Sequence, residues 1–177
     1  MGTYNGSESA AMASYSPTAR DALGVSSLYL RDDEDWIHTA TYNRLLARWN
    51  KADSQANLFL LSGLGVAEHA GDTNLAGVIG MEADWETRRL YVSYENRYIY
   101  AGDIEQSYSH KARVGVAPYV GGYDDIHSWL MLQVDHQPDM GEEWVVTPLI
   151  RLFNQEVLGE FGISHKGDVM VNVTWQF

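Results

Sequence analysis

Alternation of apolar and polar residues is the feature that most constrains how this chain can fold. Neighbouring side chains of a β-strand point to opposite faces of the sheet, so alternation between turn signals predicts strands. From residue 20 onward about ten such segments follow one another, separated by clusters of Gly, Asn, Asp and Ser. In residues 35–50 Leu45, Leu46 and Trp49 also have helical spacing, but alternation is the better match and favours strand.

The alternation divides the strand residues into one apolar set and one set that carries the charges. The apolar set contains stretches such as Leu90, Val92 and Tyr94, or Leu130, Leu132 and Val134. Charges in the middle of the strands fall on the other set, which is predicted to form one network. Its members are Arg44, Arg48, Glu82, Asp84, Glu95, Arg97, Lys111, Arg113, Arg151 and Glu160.

A charge-free sheet face packs either on a protein core or on lipid. The charged set also holds small residues, including Gly63, Gly80 and Gly115, which suits the crowded interior of a closed barrel better than a solvated surface. Aromatic residues such as Trp85 and Trp144 lie near the ends of the apolar set, as in the girdles of membrane barrels. A membrane strand needs only about 9–11 residues, so mean hydropathy of −0.28 does not argue against one.

Composition excludes several classes of function. The chain has 12 Lys and Arg against 24 Asp and Glu, a net charge of −12, and we therefore expect no nucleic-acid partner. It has no Cys, which excludes disulfides, thiol nucleophiles and Cys-ligated zinc. His127 and Ser128 are adjacent and so point to opposite faces of a strand, and no phosphate loop or nucleophile motif is present. We therefore expect no enzyme.

The last nine residues alternate, with Met170 as the one apolar residue at an even position, and end in Phe177. Their odd positions are apolar or aromatic and include Val173 and Trp175. This pattern resembles the terminal strand of Gram-negative outer-membrane β-barrels, in which such residues form the assembly signal. The resemblance implies an outer-membrane location, both termini in the periplasm, and contact with outer-membrane lipid, lipopolysaccharide and the barrel assembly machinery.

The fold expected from these patterns is all-β: a closed antiparallel up-and-down transmembrane barrel of about ten strands over residues 20–177, with eight as the alternative. Residues 1–19 are small and polar without a period, and we expect a flexible N-terminal arm, an engineered origin being an open alternative. No basic and hydrophobic leader precedes the barrel, so a signal peptide is expected to be absent, either removed or never present.

The connections expected to face outward are strongly acidic. They contain Asp32, Asp33, Glu34, Asp35, Asp72, Asp103, Glu105, Asp139, Glu142, Glu143 and Asp168. This composition indicates either a solvated rim or a mouth that attracts cations. Five of the six His residues lie at the same predicted strand ends. His38 and His69, on adjacent strands and on the charged face, are the candidate ligands for a divalent metal ion; no other cofactor is expected.

These patterns predict a small non-enzymatic outer-membrane barrel, either a narrow pore or a solute- or ion-binding protein, with metal cations as one candidate solute. The charged face either lines a polar path or forms a salt-bridged plug. Two alternatives stay open. A soluble lipocalin-like carrier would turn the apolar set inward around a hydrophobic ligand, although Gly24 is followed by Val25 and Ser26 rather than by the lipocalin Gly-x-Trp. A lipid-modifying outer-membrane enzyme is the other.

Overall fold

A computed structural model describes residues 1–122, 124–138 and 144–177 of the chain and shows twelve β-strands. In these residues no helix is long and apolar enough to cross a membrane. The strands are β1 (Gly2–Tyr4), β2 (Glu8–Tyr15), β3 (Asp21–Leu30), β4 (Asp35–Asn50), β5 (Ser54–His69), β6 (Asp72–Thr87), β7 (Leu90–Tyr100), β8 (Gln106–Val116), β9 (His127–His136), β10 (Trp144–Asn154), β11 (Val157–Ile163) and β12 (Val169–Trp175).

Each strand pairs antiparallel with the next, and β1 closes the barrel by pairing with β12. Both chain termini lie at one end of the barrel, which we call the terminal end. The opposite end, which carries the connections 5–7, 31–34, 70–71, 101–105 and 164–168 and the described residues 137–138, is the loop end. The expected closed up-and-down barrel is confirmed, but the expected count of about ten strands is wrong.

The two additional strands lie in residues 1–19, so the prediction of a flexible arm there is also wrong. Gly2 to Tyr4 pair with Val173 to Val171 on one side and with Ala11 to Ser9 on the other. β2 then pairs along its whole length with β3. Small residues such as Ala10, Ala11 and Ser14 give a weak apolar alternation, and for this reason the pattern did not reveal these strands.

The apolar set lies on the outside of the barrel, as the lipid-facing interpretation requires. Leu64 and Leu75 are 76% and 83% exposed, and most other large apolar residues of the set are more than one-third exposed. A carrier with this set around an internal ligand would bury these residues, so the lipocalin-like alternative is excluded. The exposed apolar belt makes this a barrel suited to a bilayer.

A β-bulge in β4 corrects the predicted position of Arg44. Leu45 pairs with Phe59 and Ala47 with Leu58, so Leu46 is an extra residue and the alternation is reversed beyond it. Arg48 therefore points into the lumen as expected, whereas Arg44 lies on the outer face. There its Nη1 is 3.4 Å from Asp21 Oδ1 and donates to Tyr42 Oη at 3.1 Å.

Hairpin geometry explains one short connection at the loop end. β5 and β6 are joined by two residues, Ala70 and Gly71, with φ values of 49° and 97°. Two positive φ angles are typical of a type I′ turn, whose twist matches that of the flanking strands. The register of β5 and β6 continues from this turn along all sixteen residues of each strand.

Strand β5 approaches β4 closely at Gly65, where a β-carbon would overlap the carbonyl oxygen of His38. We therefore expect Gly65→Val to disturb the β4–β5 pairing and to cost about 1–3 kcal/mol or more in stability. The folded fraction, measured as the heat-modifiable band on a gel, should fall. Gly159→Val is the matched control, because a β-carbon at Gly159 has no atom within 4 Å; equal folding of both variants would contradict the expectation.

Candidate solute pathway

The lumen is narrowed at the loop end by an apolar cluster on one wall. Leu28, Leu30, Ile37 and Ile99 are buried there with small residues of β5 and β6. On the other side a cavity of about 350 Å³ extends inward from the loops. Its polar lining includes Glu8, Glu95, Arg97, Lys111, Gln133, Asp135 and Asp168.

A second cavity, of about 700 Å³, lies at the terminal end. His127, Trp129 and Phe153 of the lumen face line it, together with the connection between β8 and β9. The two cavities lie on either side of a belt of charged side chains. A solute that crosses the barrel must therefore pass this belt.

Nine of the ten predicted network residues lie on the lumen face; Arg44 is the exception. Directly paired residues share a face, and the registers place Glu82 beside Glu95, Glu95 beside Lys111, and Arg151 beside Glu160. Four further carboxylates, Glu8, Asp35, Glu86 and Asp135, also lie there. Alternation alone would have revealed Asp135, two residues beyond Gln133, whereas Glu8 lay in the presumed arm and Glu86 in a presumed turn.

Glu160 is the centre of the most buried cluster. Its side chain is inaccessible to solvent. Arg151 Nε donates to Glu160 Oε1 at 2.7 Å, and Arg113 Nη1 donates to the same oxygen at 3.2 Å. Asn172 Nδ2 donates to Oε2 at 2.9 Å. Two guanidinium groups thus share one carboxylate, which leaves the cluster with a surplus positive charge.

Both arginines of this cluster are held by further contacts. Arg113 Nε donates to Gln133 Oε1 at 2.7 Å, and Gln133 in turn donates to Asp135. The Arg151 guanidinium carbon lies 4.8 Å from the centre of the Tyr91 ring, a cation–π distance. These contacts fix the direction in which the positive charges point.

Two other ion pairs lie inside the barrel near the loop-end cavity. Arg97 Nη2 is 2.7 Å from Glu8 Oε2, and Lys111 Nζ is 3.7 Å from Glu95 Oε1. The first joins β7 to β2, which are far apart around the barrel, so these long side chains reach across the lumen. This part of the charged face matches the salt-bridged interpretation.

The carboxylates of β6, unlike Glu8, Glu95 and Glu160, form no ion pair within the described residues. Glu82, Asp84 and Glu86 occupy successive lumen positions on that strand. Asp84 accepts a hydrogen bond from Asn57, which itself accepts one from Arg48. Within the described part of the chain, no cation lies within ion-pair distance of Glu82 or Glu86.

Carboxylates therefore outnumber cations on the described lumen face. The carboxylates are Glu8, Asp35, Glu82, Asp84, Glu86, Glu95, Asp135 and Glu160, and the cations are Arg48, Arg97, Lys111, Arg113 and Arg151. The excess is negative, and part of it is unpaired. A fully salt-bridged plug does not account for this arrangement.

The two candidate metal ligands are not brought together. His38 lies on the outer face and stacks on Trp36, with ring centres 5.7 Å apart. His69 stays on the lumen side and forms a 2.6 Å bond from Nδ1 to Asp35 Oδ1. In the residues with described positions, no group of three or more His, Asp or Glu side chains is arranged to hold a metal ion.

The strand topology places the predicted acidic residues that the structure describes at the loop end. Asp32, Asp33, Glu34, Asp103, Glu105 and Asp168 all belong to connections at the loop end, and Asp35 and Asp72 begin strands there. Asp139, Glu142 and Glu143 lie outside the described residues. His110 and His136 stack on each other on the outer face, with ring centres 5.9 Å apart, rather than facing this opening.

The predicted assembly signal lies on the outer face of β12 and directly after that strand. Val173 and Trp175 face outward and are 49% and 64% exposed, and Phe177 follows the strand fully exposed at the terminal end. These three residues are thus accessible to a partner. Their recognition by assembly machinery stays a prediction.

Comparison with solved structures finds porins with a similar fold. The chain is similar to the KdgM porin in complex with disordered oligogalacturonate, with a TM-score of 0.61 and 9% sequence identity over 99% of this chain and 96% of that one. It is also similar to the KdgM porin alone (TM-score 0.55, 10% identity, 99% and 96% covered) and to the NanC porin (0.54, 11%, 99% and 98%). No protein-family model and no curated protein sequence matches the chain.

At these identities the likeness concerns the fold. Together with the exposed apolar belt, it confirms the prediction of an outer-membrane type β-barrel.

Proposed function

We propose that this protein is a narrow outer-membrane channel for small hydrophilic solutes that prefers cations to anions. The observation that carries the proposal is the charged lumen, in which carboxylates outnumber cations and Glu82 and Glu86 lack an ion-pair partner in the described residues. Fixed negative charge along a narrow low-dielectric path raises the local cation concentration and lowers that of anions.

The acidic loop end supports the same direction of selectivity. Two of its carboxylates, Asp32 and Asp168, line the loop-end cavity, where a solute first meets the barrel. The KdgM porin, in contrast, forms a complex with oligogalacturonate, an acidic saccharide. Such a polyanion would meet repulsion here, so we do not extend that solute to this chain. A specific metal site is likewise not part of the proposal.

The proposal also includes the partners that the outer surface of the barrel would contact. The apolar belt would contact outer-membrane lipid and, at the loop end, lipopolysaccharide, and the exposed C-terminal Trp175 and Phe177 would meet the barrel assembly machinery.

Single-channel recording in planar bilayers tests the function. Under a KCl gradient the wild-type reversal potential should show preference for K⁺. Replacing both unpaired carboxylates, Glu82→Gln with Glu86→Gln, should lower the K⁺ to Cl⁻ permeability ratio about twofold or more, since fixed charge sets the local ion concentration.

Glu68→Gln provides the control. Glu68 lies on the outer face of β5 near the loop end, so its loss should leave the K⁺ to Cl⁻ permeability ratio nearly unchanged. A barrel that inserts but passes no current, or one that prefers Cl⁻, would overturn the proposal.

A further inference from the structure

Two groups of opposite charge line the pathway without neutralising each other. One is the guanidinium pair of Arg113 and Arg151, which shares the single carboxylate of Glu160. The other is the β6 carboxylate row, defined as Glu82, Asp84 and Glu86. The selectivity for simple ions depends on the number of charges and does not use the separation of these two groups along the lumen wall.

The guanidinium pair is rigid and directed. Its side chains are only 15% and 13% exposed, and Gln133, Tyr91 and Glu160 hold them in place. One positive charge remains after pairing with Glu160. Because the groups are fixed before a solute arrives, no reorganisation is needed for them to meet a negative group.

The β6 carboxylate row lies on the lumen face two strands from Arg113. Residues two apart on a strand are about 6.6–6.8 Å from each other, so the row extends over about two such steps along the path. Glu82 lies directly opposite Glu95, which adds negative charge on the same side. Asp84 is hydrogen-bonded to an amide, so no ion pair within the described residues neutralises any of the three directly.

The two groups lie near each other on the lumen wall without forming ion pairs. Asp84 on β6 and Arg113 on β8 are level with each other, with Ser93 of β7 between them. Arg151 lies on β10, two strands beyond β8. Among the described residues, neither arginine comes within 4.0 Å of a carboxylate of the row. Opposite charges that are fixed at such a separation place an electric field along this part of the wall.

Such a field distinguishes solutes by their charge distribution. A singly charged organic ion is attracted by one group and repelled by the other. An uncharged solute loses hydration in the narrow region and gains no charged partner. A solute that carries a cation and an anion a few ångströms apart can approach both groups at once.

We infer that the pathway is built to pass small zwitterions of the amino-acid type, with the solute carboxylate toward Arg113 and Arg151 and its ammonium toward Glu82 and Glu86. This inference rests on the proposed channel function and names the solute class within it.

The test measures solute flux into proteoliposomes that contain the full-length barrel. β-Alanine, a zwitterion, is compared with 3-hydroxypropanamide, an uncharged molecule of nearly the same size and shape. Protein-free liposomes give the background for each solute. We expect β-alanine to enter about three- to tenfold faster through the wild-type barrel, a difference of the order that one favourable contact provides.

The variant Glu82→Gln with Glu86→Gln removes the ammonium side and should bring the two rates together, while Glu68→Gln should retain the difference. Equal rates in a wild-type barrel that conducts KCl would overturn the inference and leave the channel in place. A preference that persists in the double variant would also overturn it. Absence of both current and solute flux would instead overturn the channel itself.

Discussion

Replacing Glu160 by alanine is expected to destabilise the folded barrel by about 3–5 kcal/mol, because it leaves two buried guanidinium groups without their shared carboxylate. Arg113 and Arg151 both bond to this side chain, which has no solvent access. Without it the two positive charges repel each other, and Asn172 loses its acceptor. The lumen also loses one negative charge at its most buried cluster, so the K⁺ preference should weaken.

Urea titration of the refolded barrel in detergent or lipid, followed by the heat-modifiable band, measures this loss. Glu82→Gln is the matched control, since it removes a lumen carboxylate that has no ion-pair partner in the described residues. That variant should stay close to wild type or gain slightly, because Glu82 lies opposite Glu95. Equal stability of the two variants would show that the Glu160 cluster contributes little.

Residues that lie on regular strands were predictable from alternation alone. A period of two fixes the face of every residue once one is known, so Glu95, Arg113 and Glu160 were correctly placed toward the lumen. The outward face of Leu75 and Leu130 followed in the same way. The choice between lipid outside and a core inside needed the added evidence of glycines and aromatic residues.

Irregular positions were not predictable. The extra residue Leu46 reverses the parity of β4, and no local sequence signal distinguishes it from its neighbours. The same bulge explains the error at His38. This residue was assigned to the charged face by alternation with Arg48, but it lies before the bulge and therefore points outward. The sharing of Glu160 by two arginines depends on the pairing of β8, β10 and β11, which a one-dimensional pattern does not contain.

The N-terminal segment gives the other error, and its physical cause lies in closure of the sheet. Glu8 pairs with Arg97 across the lumen, and Thr3 bonds to Asn172. Neither interaction is visible locally, because its partner lies about half a chain or more away. β1 and β2 complete the backbone hydrogen bonding of β12 and β3. Backbone pairing does not require large apolar side chains, so polar and small residues are sufficient here.

Removal of residues 1–19 should therefore abolish the folded barrel rather than trim it. Without β1 and β2, the edges of β3 and β12 expose unpaired N–H and C=O groups, each of which costs several kcal/mol in a bilayer. Closing β3 directly onto β12 would require a new tilt and register for all the remaining strands. Arg97 would also lose its carboxylate partner within the lumen.

Refolding into lipid vesicles followed by gel electrophoresis with and without boiling tests this expectation. The truncated chain should show no heat-modifiable band and should remain sensitive to protease. The matched control replaces only residues 16–19, in the connection between β2 and β3, with Gly and Ser, and should fold normally because these residues lie outside both strands. A truncated chain that folds and conducts like the full chain would show that the first two strands are dispensable. Such a chain must have closed again as a barrel of ten strands, because the unpaired backbone groups of an open sheet edge are not satisfied in lipid.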